Sequence, residues 1–322
     1  MKTISKTSAI VSMLLMSAGG VMAEPAAPHD WQDLSGLEKQ FRATQQPLVF
    51  DYTVAYRFLH VEFSRLGNLV MKTTIGEWTA SATSRPIPAV FIDLQFDSKD
   101  ARGIAQRPRV SIHDRIVAVL AAPTMEALLF AKDTDEYLNP LLGRSRILRS
   151  VSCYDVQSGS LDYWQHNMTA GTVVTNVSDP QAIVEMSRKV RPILDFLMDQ
   201  SHGNGAETLA PEALTLNVNT SGKVVPLRLR TVRDRAPGCL GGLRLTGLCV
   251  DAIPARKTDE RLYRFHSWAV PFQELADRLK DAALQKASNE AFVKAVVPVV
   301  AEYEMVLGAI RMTLVAVRVE TP

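Results

Sequence analysis

The chain has 322 residues and a formal net charge of +2, and its Lys and Arg residues are interspersed with Asp and Glu. This balance argues against a nucleic-acid-binding protein, which needs a concentrated basic face. It argues equally against a protein that is held at a membrane surface by charge alone.

Residues 1–23 have the composition of a cleavable signal peptide. Lys2 and Lys6 precede a short apolar core, and Val21-Met22-Ala23 resembles a cleavage site. The apolar run is too short to span a bilayer, and no Cys follows the cleavage point for lipid attachment. We therefore expect export: a neutral mature chain that begins near Glu24, is periplasmic or secreted, and has no transmembrane segment.

Residues 24–47 are predicted to form an N-terminal extension with one short helix over His29–Ala43. From Leu48 the pattern becomes that of a strand, because large apolar and aromatic residues occupy every second position. The alternating residues are Phe50, Tyr52, Val54, Tyr56 and Phe58.

Further strands are predicted along the chain at 60–64, 69–74, 78–81, 89–96, 109–120 and 145–156. Turn-forming residues predict three hairpins, at Gln157–Ser160, at Gly222-Lys223 and at Leu307-Gly308. The last hairpin is expected to complete the same sheet as the first strands.

Two segments have helical periodicity instead. One follows Asp179-Pro180, where apolar residues recur at helical spacing up to Leu197, and the other covers Phe272–Lys286. In the stretch that follows the first of these segments, His202–Pro211 is predicted to be a loop.

The fold predicted from these elements is mainly β, a curved antiparallel sheet in the form of a half-barrel or sandwich with two or three accessory helices. Residues 48–319 are predicted to form a single β-rich domain with helical insertions near 179–200 and 271–295.

Cys239 and Cys249 are close in sequence and lie among glycines, so a disulfide in an oxidising compartment is sterically allowed. The alternative is that both are small buried residues on neighbouring strands and are never oxidised. Cys153 is predicted to be a buried thiol.

Three groups of polar residues are candidate chemical sites. His113 and Asp114 are adjacent, but successive residues of a strand point to opposite faces and cannot pair. Asp133, Asp135 and Glu136 suggest either a calcium site or, preferably, an acidic water-facing turn. Glu302 and Glu304 share one face of a predicted strand, where they are either paired catalytic acids or, preferably, solvent-facing side chains.

The sequence contains no nucleophile elbow, phosphate loop or dinucleotide fingerprint. Its six histidines are scattered, and no two have metal-ligand spacing. We therefore predict a protein that is not an enzyme, with no catalytic residues, no metal and no cofactor.

Aromatic residues on predicted strands give the one positive indication of function. Curved antiparallel sheets can enclose an apolar cavity, and aromatic side chains commonly line one. Tyr52, Tyr56 and Trp164 are the predicted ligand-binding residues, and the alternative is that they belong to an ordinary sheet core.

Several segments together resemble a group of exported bacterial proteins that is known only as a domain of unknown function. The similar segments are Phe50–Tyr56, Asp114–Lys132, Tyr154–Tyr163, Asp179–Leu197, Leu216–Leu229 and Pro298–Arg311. The helical segment near 272–295 and the two close cysteines depart from that group. The resemblance implies an envelope β-protein, similar in shape to periplasmic lipoprotein carriers, and it implies no activity.

The leading hypothesis is thus an exported, non-enzymatic protein that binds an apolar or envelope-derived ligand. One alternative is a hydrolase of envelope polymers that uses His113 with Asp133 and Asp135. The other is a scaffold that binds an envelope protein through a sheet edge or the helix near 272–295. The expected partners are therefore an apolar small molecule, a lipid or an envelope protein, and the oligomeric state stays open.

Overall fold

The computed structural model describes most of the chain from residue 39 to residue 320. The described ranges are 39–58, 61–79, 85–98, 111–125, 127–137, 145–155, 160–167, 172–174, 190–201, 206–211, 214–220, 223–243, 245–254, 264–290, 295–305 and 308–320.

These residues form sixteen strands and three helices. The strands of the first half are β1 (Phe41–Ala43), β2 (Leu48–Phe58), β3 (Val61–Trp78), β4 (Ile87–Asp97), β5 (Ser111–Ala121), β6 (Ala127–Tyr137), β7 (Ser145–Asp155), β8 (Ser160–Asn167) and β9 (Thr172–Val174).

The second half begins with helix α1 (Val190–Ser201). Its strands are β10 (Thr208–Leu209), β11 (Leu216–Thr220), β12 (Lys223–Arg235), β13 (Thr246–Pro254), β14 (Arg264–Pro271), β15 (Val296–Met305) and β16 (Gly308–Val319). Between β14 and β15 lie helices α2 (Phe272–Leu279) and α3 (Ala282–Glu290).

All sixteen strands belong to one sheet. Its order is β10-β12-β13-β14-β15-β16-β2-β3-β4-β5-β6-β7-β8-β9, with β1 paired to β3 and β11 paired to β12. Every pairing among the described strands is antiparallel, from β1–β3 to β8–β9. Because β16 pairs with β2, the prediction that the last hairpin joins the first strands is confirmed.

One face of this sheet, called the inner face here, carries the larger core. The alternation predicted for β2 is confirmed in Phe50, Tyr52 and Val54, which are at most 4 % exposed. Helices α1, α2 and α3 contribute to the same core, and the ring of Phe272 meets that of Phe50 edge to face at 6.1 Å. The sheet thus curves around its helices, and the predicted mainly-β, antiparallel fold class is confirmed.

The opposite, outer face carries a smaller apolar cluster on β3, β4, β5 and β6. Its members include Trp78, Phe91, Val117, Val119 and Leu129. The ring of Phe41 on β1 packs against Phe91 with centroids 4.9 Å apart. Both faces are therefore apolar in this part of the sheet, which explains the continuous apolar runs at 89–92 in β4 and at 116–121 in β5.

The chain differs from the sequence predictions at its N-terminal end. The helix predicted over His29–Ala43 is wrong for its last residues, because Phe41–Ala43 form β1 and pair with Gly76–Trp78. An alternating apolar partner strand supplies hydrogen bonds and burial that a short isolated helix lacks. Residues 61–64, 69–74 and 78, which were predicted to lie in three separate strands, belong to one strand, β3.

The C-terminal helical segment also differs in detail. The helix predicted over Phe272–Lys286 is two helices, because Lys280 adopts a left-handed conformation with φ of 55° and ends α2. The carboxylate of Asp281 then accepts hydrogen bonds from the N–H groups of Ala283 and Leu284, at 2.8 and 3.0 Å, and begins α3.

The residue pattern missed five further strands: β6, β9, β13, β14 and the two-residue β10 within the predicted loop 202–211. The hairpins β11–β12 and β15–β16 were predicted, and both are confirmed. The signal peptide, residues 24–38, Cys153's side chain and most of the predicted helix after Asp179 lie outside the described residues.

Replacing Gly76 by Ala should destabilise the protein by about 1–3 kcal/mol, because the added Cβ would overlap the carbonyl oxygen of Arg42 on β1. The control is Gly238→Ala, where no atom lies within 4 Å of the added Cβ. Urea unfolding of both variants measures the difference. Equal stability of the two would contradict the placement of β1 against β3.

Candidate functional site

The three residues predicted to bind a ligand do not form one surface. Tyr52 is 3 % exposed, and its hydroxyl donates a hydrogen bond to the carbonyl oxygen of Pro298 at 3.0 Å. Burial raises the pKa of this Tyr52 hydroxyl, which is therefore neutral. Tyr56 is partly buried and packs against the same inner core. Both tyrosines are thus part of the packed core.

Trp164 lies on β8, six strands away from β2 in the sheet order. The row of paired positions that begins at Tyr52 passes through Leu69 and Phe96 and ends at Asn167. Trp164 is three residues from Asn167, and its register partner is Val151. Its backbone position therefore belongs to the alternate row, and its side chain lies outside the described residues.

Of the two alternatives for Cys239 and Cys249, the structure has the unbridged one, since both are free thiols. Cys239 belongs to the inner core together with Leu245 and Leu248. Cys249 follows Leu248 on β13 and so lies on the other face, where its Sγ is 4.0 Å from Oδ1 of Asp251. The two thiols are separated by the sheet, and this separation is the physical reason that they are not joined.

The thiol of Cys249 is a poor nucleophile. Burial, together with the negative charges of Asp251 and Asp234, raises its pKa to about 12. Burial also raises the pKa of Cys239. Since the thiolate is the reactive form, neither group has the environment of a catalytic cysteine.

The acidic segment around Asp133 is a strand and not a turn, so that prediction is wrong. Residues 133–137 continue β6 and pair with β5 and β7. Acidic residues are tolerated in this strand because basic residues lie opposite them. Arg149 on β7 donates two hydrogen bonds to Asp133, at 2.6 and 2.9 Å.

The same part of the outer face holds a second arginine–carboxylate pair. Asp93 on β4, whose side chain is only 7 % exposed, accepts two hydrogen bonds from Arg115 on β5, at 3.0 and 2.7 Å. The side-chain amide of Gln95 donates a third at 2.9 Å. Bidentate pairs of this kind are the stronger class of ion pair, and they fix the side chains on neighbouring strands.

His113 lies near two carboxylates. Its Nδ1 is 3.3 Å from Oδ1 of Asp97 on β4, and its register partner on β6 is Asp135. The structure therefore brings His113 and Asp135 together on one face, while the two hydrogen bonds from Arg149 engage Asp133. Asp114 lies on the opposite face, 4 % exposed, with Lys132 Nζ 3.6 Å from its carboxylate.

The most extensive polar cluster of the described residues crosses five neighbouring strands and is called the His266 row here. Its members occupy successive register positions on β12, β13, β14, β15 and β16, and they are Arg230, Asp251, His266, Glu302 and Arg311. Positive and negative side chains alternate along the row when His266 is protonated.

Asp251 is the best-connected member of the His266 row. One carboxylate oxygen accepts hydrogen bonds from Arg230 at 3.1 and 2.5 Å, and the other lies 2.5 Å from Nδ1 of His266. Burial alone would raise the pKa of Asp251, but the hydrogen bonds from His266 and Arg230 outweigh it and lower that pKa. The carboxylate is thus held in its charged form.

His266 is affected in the opposite direction. The hydrogen bond with Asp251 raises its pKa, burial opposes this, and the negative charges of Asp251, Glu304 and Glu302 add to the rise. Glu304 Oε1 is 3.7 Å from Nε2 of His266, and Arg311 Nε is 3.4 Å from Glu302 Oε1. Glu302 and Glu304 thus belong to a charged network and do not form an isolated pair of acids.

Sequence reasoning missed this row because it missed β13 and β14. Leu248, Val250 and Ala252 alternate with Cys249 and Asp251, and this period of two was the available signal. Glu302 and Glu304 were correctly predicted to share a face. Only the register of β14 with β15 shows that His266 lies beside them.

A polar cleft lies where the end of α1, strand β12 and helix α2 meet. Its volume is about 460 Å³, and it is lined by Ser201, Arg233, Pro271, Gln273, Glu274, Asp277 and Arg278. Two basic and two acidic side chains therefore surround it. The size falls in the range of small-molecule sites, but the lining is far more polar than is usual for an apolar ligand.

The described residues contain neither a candidate metal-binding cluster nor a candidate membrane-spanning helix. No three or more His, Cys, Asp or Glu side chains in these ranges are grouped so that they could hold a metal ion. None of the described helices combines the length and the apolarity needed to cross a membrane.

Alkylation should show that the two cysteines are not bridged. Unfolding the purified protein in urea without reductant and adding iodoacetamide should label Cys239 and Cys249, because the sheet separates them. Peptide mass spectrometry reads the labels, and a reduced sample is the control. Labelling of the pair only after reduction would contradict the structure.

Asp93→Asn should destabilise the protein by about 2 kcal/mol, because the charged acceptor of the two Arg115 hydrogen bonds is lost from a buried position. Asp135→Asn is the matched control on the same face; its side chain is exposed, so its effect should stay within about 0.5 kcal/mol. Urea unfolding at neutral pH measures both. If Asp93→Asn leaves the free energy of unfolding unchanged, the Asp93–Arg115 pair contributes nothing to stability.

Comparison with known proteins identifies no family for this chain. No protein-family model matches it, and no curated protein matches it. A solved structure with some likeness is a beta-barrel-like protein of the domain of unknown function DUF1849 from Brucella abortus, with a TM-score of 0.41 and 8 % identity over 87 % of this chain and all of that one. The fold described above therefore rests on this chain's own strand pairing, and the expected family stays a prediction.

Proposed function

We propose that this protein is an exported, non-catalytic binding protein of the bacterial envelope, and that it holds a small polar ligand in the cleft between α1, β12 and α2. Two features support the proposal. Residues 1–23 have the composition of a signal peptide. The described ionisable clusters of the outer face engage one another within the sheet, which is a structural role.

The cleft is the observation that carries the proposal. Arg233 and Arg278 can pair with an anionic group, while Glu274 and Asp277 can pair with a cationic one. Gln273 and Ser201 add hydrogen-bonding groups. A small molecule that bears both charges, such as a zwitterionic envelope component, could contact side chains of both signs in this cleft.

The structure gives less support to an apolar ligand at Tyr52. That side chain is enclosed, and its hydroxyl already has a partner in Pro298. A ligand that replaced this packing would have to leave the hydroxyl or the carbonyl unsatisfied, at a cost of about 1–3 kcal/mol. An apolar ligand is therefore an outcome of the test below and not the main expectation.

The scaffold hypothesis is also less favoured. The apolar face of α2 is already used, because Phe272, Leu275 and Ala276 are completely buried in the inner core. Strand β10 ends the described path at one edge with only two residues, and short edge strands are poor templates for a partner strand. Neither surface offers an unused apolar face.

A hydrolase is the second candidate, and His113 is the observation that favours it. Its imidazole lies within 3.3 Å of Asp97 and in register with Asp135, an arrangement that can orient a general base. We expect His113→Gln to leave any hydrolysis of envelope polymers unchanged. Loss of a measurable hydrolytic activity in this variant would favour the hydrolase over the binding protein.

Native mass spectrometry of the protein purified from its own envelope fraction tests the binding proposal. We expect a mature chain that begins near Glu24 and retains a small polar molecule. Arg278→Gln should weaken retention about tenfold, because it removes one charge-assisted contact. Lys286→Gln is the control, since Lys286 is exposed and does not line the cleft.

Three results would contradict the proposal. An N-terminus that has not been cleaved would contradict export. A retained apolar molecule would show that the ligand binds at another surface. Equal retention by Arg278→Gln and Lys286→Gln would show that the ligand does not occupy the cleft.

A further inference from the structure

The position of His266 between two acidic strands has a consequence that is independent of the cleft and of any ligand. β14 has β13 on one side and β15 on the other, and on the outer face both neighbours present carboxylates to the imidazole. Nδ1 is 2.5 Å from Asp251 Oδ1 on β13, and Nε2 is 3.7 Å from Glu304 Oε1 on β15. One side chain thus contacts both neighbouring strands.

The charged groups that face His266 among the described residues come from two strands directly and from two more through them. Asp251 on β13, with the protonated thiol of Cys249 beside it, lies on one side, and Glu302 and Glu304 on β15 lie on the other. Arg230 on β12 is held by Asp251, and Arg311 on β16 lies against Glu302. The ring is therefore flanked by carboxylates on both neighbouring strands, and Arg230 and Arg311 stand one strand further away. On β14 itself, Arg264 occupies the register position opposite Glu304, two residues before His266.

We propose that His266 is a pH-sensitive clamp: its imidazolium holds β13 and β15 to β14 across the outer face, and loss of its proton loosens these three strands.

The charge pattern gives the reason for this switch. With the ring protonated, the row alternates in sign from β12 to β16, and each carboxylate has a cation on at least one side. With the ring neutral, one ring nitrogen has no proton to donate. The contact to β13 or the contact to β15 must then weaken, and the three carboxylates around the ring lose their shared cation.

The direction of the pH dependence follows from linkage. His266 has a raised pKa in the folded protein, so the stability that it contributes is fully present below its unfolded value near 6.5 and is lost as the pH rises through the folded pKa. Asp251 has a lowered pKa, so its contribution is present above the ordinary value of an Asp and is lost only in acid. The clamp is therefore closed at pH values between the ordinary pKa of an Asp and that of a His, and it opens as the pH rises through the folded pKa of His266.

Two measurements on the full chain test the clamp. In a proton NMR titration, the ring resonance of His266, assigned by its loss in His266→Gln, should titrate above the ordinary value near 6.5. In urea unfolding from pH 5.5 to 9, the unfolding equilibrium constant of the wild type should rise by up to about tenfold per pH unit between that value and the folded midpoint. Corrected amide-exchange protection in β13, β14 and β15 should fall over the same range.

The matched control is His113→Gln. The side chains of His113 and His266 are both 28 % exposed, and each has a carboxylate near Nδ1, but Asp97 is 48 % exposed whereas Asp251 is 14 % exposed. We expect His266→Gln to remove the alkaline loss of stability and His113→Gln to retain it. If both variants retain it, the clamp is refuted.

A second variant keeps the test decisive if His266→Gln does not fold. Glu304→Gln removes one negative charge near Nε2, so the titration midpoint of His266 should move to lower pH. The residue that contacts Nδ1, Asp251, is not altered in this variant. A wild-type His266 that titrates at or below the ordinary value, or a midpoint that does not move in Glu304→Gln, would overturn the proposal.

Discussion

The structure depends on the antiparallel pairing of β16 with β2. A strand exposes a row of N–H and C=O groups along each edge, and these groups must find partners when they are buried. The pairing of Ala309–Val319 with Leu48–Arg57 meets this requirement for the last and first long strands at once. It joins two runs of neighbouring strands into one sheet, and both faces extend across the joint with a register shift between Leu314 and Ala316.

Continuity of the faces explains how the charged residues are accommodated. Because side chains alternate between the two faces, each register row collects one residue from every strand it crosses. On the outer face Arg149 is the register partner of Asp133, and Arg115 pairs with Asp93 diagonally, one row away. Charged side chains can therefore be partly buried on this face, since each one has a partner on the next strand.

This organisation also bears on function. The clusters that looked chemically active in the sequence, around His113, Asp133 and Glu302, are engaged in cross-strand contacts. Tyr52, the expected ligand contact, is enclosed in the inner core. An accessible polar cleft lies instead between the end of α1, strand β12 and helix α2, and none of the residues that line it belongs to these clusters.

Local pattern was sufficient for the type of many elements. The alternation in β2 and the turn residues at Gly222 and Gly308 predict strands and hairpins, because a period of two and the turn conformation are properties of a few adjacent residues. The strand character of Asp133 and the separation of Cys239 from Cys249 required the neighbouring strands. Register and strand order were decided only in the folded chain, because no short segment encodes which distant strand it will pair with. That is why the contact of His266 with Asp251 and Glu304 could be seen in the tertiary structure alone.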